Sequence, residues 1–189
     1  MNFQMKPKLL ASFVGLALAL ALFPACVSEL PSVTSWSVPT VAAKTRIERD
    51  DFKKLTSITT PKMIFAGDNA VDIYRYELSA ERKDGAEINY FLILYSQRGY
   101  GQSWAFWQSA ADQNGKEFKF VDESQNVYGG GIVEELVSTS LSREYLDRLT
   151  STGIRWKIYG KNAVKEFEIA PNLVAGFLAK CDATFAGNL

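Results

Sequence analysis

The sequence predicts an α+β domain in which an antiparallel sheet of about six to eight strands carries two helices on one face. Three observations lead there. Strand-like runs follow one another with only short, turn-rich connectors, which suits antiparallel hairpins rather than parallel crossovers. Near the C-terminus two facing runs agree in charge and in apolar pattern on a single register. Two further stretches, after Leu141 and from Pro171, place apolar residues at helical spacing. With 189 residues, 47% of them hydrophobic and 22% charged, the composition is that of an ordinary globular protein, and one domain is the expectation.

In chain order, Lys6 and Lys8 precede a run from Leu9 to Phe23 that carries no charge. A basic start followed by an apolar stretch is the pattern of an export signal. A permanent span takes about 20 apolar residues to cross the hydrocarbon. This run is shorter and ends at Pro24, so its removal is expected.

The residues Leu22-Phe23-Pro24-Ala25-Cys26 set a small residue directly before a cysteine. This resembles the lipobox of bacterial lipoproteins, although Phe23 stands where that class prefers Leu and Pro24 where it rarely has Pro. The resemblance covers only the first 26 residues. It implies that the Cys26 thiol receives a diacylglycerol and that residues 1–25 are removed, leaving Cys26 as the acylated first residue. Val27 rather than Asp in second place implies, in a Gram-negative cell, an outer-membrane destination facing the periplasm. The alternatives are ordinary secretion to a soluble periplasmic form, for which the bulky Phe23 would occupy a position where the peptidase takes a small residue, and a retained anchor.

Residues 26–44 follow as the lipidated cysteine and a tether rich in Ser, Thr, Val and Pro; the alternative is an edge strand in which Trp36 and Val38 dock and Pro39 sits at the rim. The domain is expected over residues 45–189. Its first segment places Ile47, Phe52 and Leu55 among charges, with a short helical turn after Asp50 or Asp51. Strands are expected at Val71–Ala80, Ile88–Gln97, Ser103–Ala110, Glu117–Asp122 and Ile132–Ser138, joined at Asp84-Gly85, Arg98 to Gly101, Asn114-Gly115 and the three glycines 129–131. The second of these strands is apolar on both faces, with Tyr90, Leu92 and Leu94 against Phe91, Ile93 and Tyr95. It should therefore be central and covered on each side.

A hairpin turning at Lys161-Asn162 pairs Tyr159 with Val164, Lys157 with Glu166 and Arg155 with Glu168, while Trp156 meets Phe167 and Ile154 meets Ile169. One helix runs from the cap Ser142 to Thr150, with Leu141 stapled over Leu146 and Gly153 ending it. The other starts at Pro171 and lines up Leu173, Val174, Phe177, Leu178 and Cys181.

The chain contains no histidine and two cysteines. Ser-His-Asp and Cys-His catalysis are thereby excluded, along with the usual imidazole and thiolate metal sites. No cofactor is expected. Cys181, on the apolar face of a terminal helix, reads as core filling rather than as a nucleophile. The carboxylate pairs Asp50-Asp51 and Glu134-Glu135 retain some catalytic interest, but neighbours on a strand point to opposite faces and Asp50-Asp51 reads as a cap. The glycines 129–131 lack the Gly-Lys-Ser/Thr that a phosphate cradle needs, and they read as a loop or bulge. With 21 basic and 21 acidic residues, there is no footprint for nucleic acid.

Aromatic density at Tyr95, Tyr100, Trp104, Phe106 and Trp107 is the remaining candidate binding surface. On a strand Trp104 and Phe106 would share one face and Trp107 the other, so one group is core and the other a possible platform for sugars or a partner's side chains. The expected function is a lipid-anchored, non-enzymatic module that binds an envelope protein, an envelope polymer or a small apolar ligand. The alternative is a histidine-independent hydrolase using a Ser/Lys or carboxylate pair, and a purely structural role in envelope assembly is a third.

Overall fold

The structure is a computed structural model that describes residues 36–67, 72–99 and 101–186. The apolar run after Lys8, Cys26 and Tyr100 lie outside the described residues. In chain order the elements are α1 (Val38–Lys44), β1 (Arg46–Asp50), β2 (Leu55–Thr59), β3 (Met63–Gly67), β4 (Ile73–Lys83), β5 (Asn89–Arg98), β6 (Trp107–Asp112), β7 (Glu117–Lys119), β8 (Val121–Tyr128), β9 (Ile132–Leu141), α2 (Arg143–Thr152), β10 (Ile154–Gly160), β11 (Val164–Ile169) and α3 (Pro171–Ala186).

The fold is α+β, as expected, and every strand pairing is antiparallel. The strands form two sheets rather than one. The larger has seven strands in the order β1-β2-β4-β5-β9-β8, with β3 also paired to β4. This is possible because β4 is eleven residues long: Ser79 to Lys83 pair with β2, and Ile73 to Tyr76 pair with β3. The smaller sheet runs β11-β10-β6-β7. At Phe120 the chain passes from β7 directly into β8, leaving one sheet and joining the other with a single residue between strands.

The two sheets close over one core. Tyr74, Tyr76, Leu78 and Ala80 of β4 and Tyr90, Leu92 and Leu94 of β5 point inward and are buried. From the smaller sheet Trp107, Trp156, Ile158 and Phe167 meet them: the Tyr76 and Phe167 rings lie 5.0 Å apart, and Tyr74 and Trp107 meet edge-on at 6.3 Å. The Tyr76 hydroxyl donates to the Glu168 carbonyl at 2.9 Å, so a polar bond accompanies the apolar contact. Helix α3 covers the rest of this face, with Phe177 edge-on to Tyr90.

The β10-β11 hairpin has the expected register at every pair from Ile154↔Ile169 to Tyr159↔Val164. The Lys157–Glu166 ion pair closes at 3.1 Å. The Ser142 side chain accepts the Tyr145 N–H at the start of α2, and Gly153 ends that helix at φ 62°. A Cβ on Gly153 would lie 2.6 Å from the Ile169 carbonyl oxygen, so the tight approach to β11 requires glycine there as well.

Several expectations are corrected. The helical turn after Asp50 is the reversal of a β1-β2 hairpin, where the Asp50 carboxylate accepts the N–H groups of Phe52 and Lys53 at 3.0 Å. The strand expected over Ser103–Ala110 begins only at Trp107, and the one expected over Glu117–Asp122 is split between β7 and β8. β5 is central, but only its inward residues are buried. Phe91, Ile93 and Tyr95 on its outer face are half-buried, and no helix among the described residues lies over them.

Within the segment read as tether or edge strand, Val38–Lys44 is a helix, the third among the described residues. Ser37 caps it by accepting the Thr40 N–H, Pro39 sits in its first turn where no N–H is needed, and Thr45 donates both its N–H and its hydroxyl to the Val41 carbonyl. Helix propensity in Val-Pro-Thr-Val is poor, so docking supplies the stability. Val41 is fully buried, and α1 crosses α3 where Gly176 lets the backbones meet. A Cβ on Gly176 would lie 2.5 Å from the Val41 Cβ and 2.8 Å from the Val38 carbonyl oxygen. Gly176→Ala is therefore expected to destabilise the protein by about 1–3 kcal/mol through overpacking, read as a lower urea midpoint. An unchanged midpoint would show that α1 does not need this close crossing.

Candidate binding face

The aromatic residues singled out from the sequence do not form one surface. Trp107 is core, its indole N–H donating to Ser96 Oγ at 3.0 Å. Trp104 and Phe106 lie not on a strand but in the crossing segment between β5 and β6. There Phe106, 38% exposed, has φ 50°, so the alternation that would have aligned it with Trp104 does not apply. Tyr95 lies on the outer face of β5, away from Trp107, and Tyr100 is outside the described residues.

The crossing segment is held from β9. Glu135, 1% exposed, accepts the N–H groups of Phe106 at 3.0 Å and Trp107 at 2.8 Å. From the hairpin turn the Asn162 and Lys161 N–H groups donate to the carbonyls of Ala105 and Phe106, and the Asn162 side chain donates to that of Trp104 at 2.9 Å. At the other end Arg98 donates to the Ser103 carbonyl and Gln102 Oε1, and Asp72 accepts the Gly99 N–H. The backbone of the segment is thereby fixed at both ends, with Trp104 half-buried and Phe106 partly exposed.

Glu134 and Glu135 point to opposite faces. Glu135 is sealed between the sheets, while Glu134 faces outward and accepts from the Tyr128 hydroxyl at 3.1 Å. They cannot share a cleft, which removes that carboxylate pair from catalysis. Asp50 caps its turn and Asp51 pairs with Arg49 at 3.1 Å. The glycines 129–131 form a 3₁₀ turn leading into a strand. Cys181 is fully buried and its thiol is pushed up to about 12 by burial, the opposite of an activated thiolate. Among the described residues no group of three His, Cys, Asp or Glu is placed to hold a metal ion.

A buried polar network lies where α2 meets the smaller sheet. Asp112 accepts the N–H groups of Asn114 and Lys116 on one oxygen and the Tyr145 hydroxyl on the other, and the Trp156 indole donates to that same hydroxyl. Its groups satisfy one another, so it reads as a fixed element of the core.

The outer face of the larger sheet is different. The hydroxyl of Tyr95 donates to Glu77, which is 4% exposed, and Lys62 lies 3.6 Å over the Tyr95 ring. The other Glu77 oxygen, Oε2, is buried without a partner. Burial raises the Glu77 carboxyl above its ordinary range, against the lowering pull of the Tyr95 bond and of Lys62 and Arg46. Raised acids mark many active sites, but this one is buried beneath its neighbours, out of reach of a substrate.

Alongside, the same face carries a trough of about 250 Å³ lined by Ser79, Glu81, Phe91, Ile93, Glu123, Leu136 and Ser138. The residues come from four adjacent strands, β4, β5, β9 and β8, and each is unremarkable alone. The legible signal was the apolar outward face of β5, read as a demand for a covering layer. No protein-family model, no curated protein and no solved structure matches this chain.

Two tests follow from these networks. Tyr145→Phe leaves Asp112 Oδ2 and the Trp156 N–H without their shared partner, and a loss of about 1–3 kcal/mol is expected; an unshifted urea midpoint would show the hydroxyl to be dispensable. Burial also raises Glu135, despite the backbone N–H groups that lower it. Because the folded state holds the protons of Glu77 and Glu135 more tightly than the unfolded chain does, the stability they confer is fully present below the ordinary value of 4.5 and is lost as pH rises through their folded values. Glu77→Gln keeps an acceptor for Tyr95 and has no charge to bury. It should flatten that decline and exceed the parent in stability at neutral pH, and parallel pH profiles would remove Glu77 as a source.

Proposed function

We propose that this protein is a lipid-anchored envelope lipoprotein whose α+β domain is a non-catalytic binding module, with the outer face of its larger sheet as the working surface. Two independent features support the reading. Lys6, Lys8 and the uncharged run to Phe23 precede Ala25-Cys26, the sequence that resembles a lipobox. The trough on the outer sheet face supports the binding role, and it is the observation that carries the proposal. Phe91, Ile93 and Leu136 line a concave surface of half-buried apolar side chains bordered by polar groups, the composition of a ligand site.

The carboxyls with raised proton affinity, Glu77 and Glu135, are sealed, and in the trough the one hydroxyl bonded to a carboxylate, Ser138 on Glu123, has no third group beside it to orient the pair. A binding role therefore fits the geometry better than a hydrolase. With Val27 following Cys26, the anchor belongs in the outer membrane of a Gram-negative cell, with the domain in the periplasm.

The anchor is tested on the mature N-terminus. In an exporting bacterial host, mass spectrometry should find Cys26 as the first residue carrying a diacylglycerol, and Cys26→Ser should move the protein from the membrane fraction to the soluble periplasmic fraction. An unmodified Cys26, or a membrane fraction unaffected by the substitution, would overturn the lipoprotein assignment.

A further inference from the structure

We propose that this protein associates head to tail with further copies of itself, β1 of one molecule adding to β8 of the next so that the larger sheet continues across the contact. The pairing uses the edges of the sheet and is independent of any ligand on its outer face.

The larger sheet ends in two strands that stand clear of the core. β1 and β8 are outermost, and among the described residues each is paired on one side only. No side chain of either strand is buried. Each therefore presents a row of backbone donors and acceptors that packing does not cover. The smaller sheet differs, since its edge strand β7 is only three residues long. Exposed apolar side chains gather at the same two edges: Ile47 and Phe52 on β1 and its turn, and Val121, Val127 and Tyr128 on β8. β8 also lacks the lysine or proline that commonly blunts an edge.

Direction and face then fix how two copies meet. Neighbouring strands from β1 to β8 are antiparallel throughout, so the two edges run in opposite directions. A second copy in the same orientation thus brings its β1 antiparallel to β8, with the outer faces flush. On β1, Arg46 lies opposite Thr59, which lies opposite Ser79, itself opposite Phe91 of the outer face. Arg46, Glu48 and Asp50 are therefore outward, and Ile47 and Arg49 inward. On β8, Ser124, Asn126 and Tyr128 share the outer face with Leu136, Glu134 and Ile132, while Gln125 and Val127 share the inner face with Glu135 and Val133. The irregularity between Asp122 and Ser124 leaves the regular stretch from Ser124 to Tyr128, which matches the five residues of β1. Over that full length, one register keeps faces matched. It sets Arg46 opposite Tyr128, Ile47 opposite Val127, Glu48 opposite Asn126, Arg49 opposite Gln125 and Asp50 opposite Ser124.

That register contains no like-charge pair. Ile47, 45% exposed, and Val127, 68% exposed, cover one another. Arg46 meets the ring of Tyr128, whose hydroxyl donates to Glu134, so a guanidinium arrives beside an aromatic ring and a carboxylate. Beyond Asp50 the turn residues Lys53 and Lys54 come alongside Asp122 and Glu123, on a strand that has no base of its own. Pairing either edge with its own copy over the same five residues is poorer. β1 would set Glu48 against Glu48, and β8 would set Val127 against Gln125 and add acids from both copies. Because the two edges differ, each contact leaves a free edge at either end, and assembly continues past two copies.

Two five-residue strands cover less than a standard interface of about 1,600 Å², so the contact is weak in dilute solution and is read best by trapping. The test is mild oxidation of the full-length protein in nonionic detergent, with the parent chain and its two cysteines as background. Ile47→Cys and Val127→Cys in one chain should give a ladder of species on non-reducing electrophoresis, with peptides joined between positions 47 and 127. A mixture of the two single variants should give a dimer and nothing larger. Glu48→Cys with Val127→Cys places the thiols on opposite faces and should stay at background. Without added cysteines, the mass seen by sedimentation should grow with concentration, and Val127→Lys should raise the concentration required about two- to five-fold. Val127 is exposed, so that substitution leaves the core intact.

No link above background would overturn the proposal, as would equal linking of positions 48 and 127 or a mass that does not change with concentration. Links joining 47 to 47 or 127 to 127 would overturn it in favour of a two-fold pair.

Discussion

The assembly of the two sheets depends on a carboxyl group buried between them. Where the chain leaves β5 of the larger sheet to begin β6 of the smaller, the N–H groups of Phe106 and Trp107 are met by a side chain rather than by a neighbouring strand, next to the register shift at which Trp107 comes to lie opposite Gly160. An unmet N–H there would cost about as much as a broken hydrogen bond. Glu135 meets both N–H groups from β9 at once. Burial penalises the charge on that group, and the backbone donors offset part of the penalty. With this point held, Trp107 enters the core, its indole finds Ser96, and β6 is aligned for pairing with β10.

The same arrangement explains why one sheet face remains open. The smaller sheet and the helices all lie on the inner side of the larger sheet, where Tyr76, Leu78, Leu92 and Leu94 are buried. Nothing among the described helices lies over Phe91, Ile93 and Leu136. Antiparallel sheets commonly leave one side to solvent, but that side is then mainly polar. Here the central strand is apolar in both directions, and the departure from alternation falls where the trough lies. The acids beside it, Glu81 and Glu123, belong to the same few strands, so the surface combines incomplete burial with polar edges.

Much of the fold was legible in the sequence where two independent patterns agreed. The β10-β11 register followed because opposite charges and large apolar residues both selected it, and α2 and α3 followed from their caps and stripes. β1 was not legible, since Arg-Ile-Glu-Arg-Asp is exposed or nearly so along its whole length and shows no buried alternation. Nor was α1, whose poor helix formers are stabilised by a crossing at Gly176, more than a hundred residues later in the chain. The aromatic segment misled because alternation was extended through Trp104 and Phe106, where the backbone is not a strand. The trough could not be found from any local motif. Ser79, Glu81, Glu123 and Ser138 become neighbours only through pairing, and the outward apolar residues of β5 were their single trace.

The passage from β7 to β8 through Phe120 has a consequence for how the molecule comes into being. Chain order visits the larger sheet through β5, the smaller at β6 and β7, the larger again at β8 and β9, and the smaller once more at β10 and β11. Neither layer can therefore be finished while the other waits. A polypeptide emerging N-terminus first would hold β4 and β5 without their β9 flank until almost three quarters of it had appeared, and β6 without β10 until its last quarter had. Such a chain remains open and threadable for most of its synthesis and closes late, in one cooperative event.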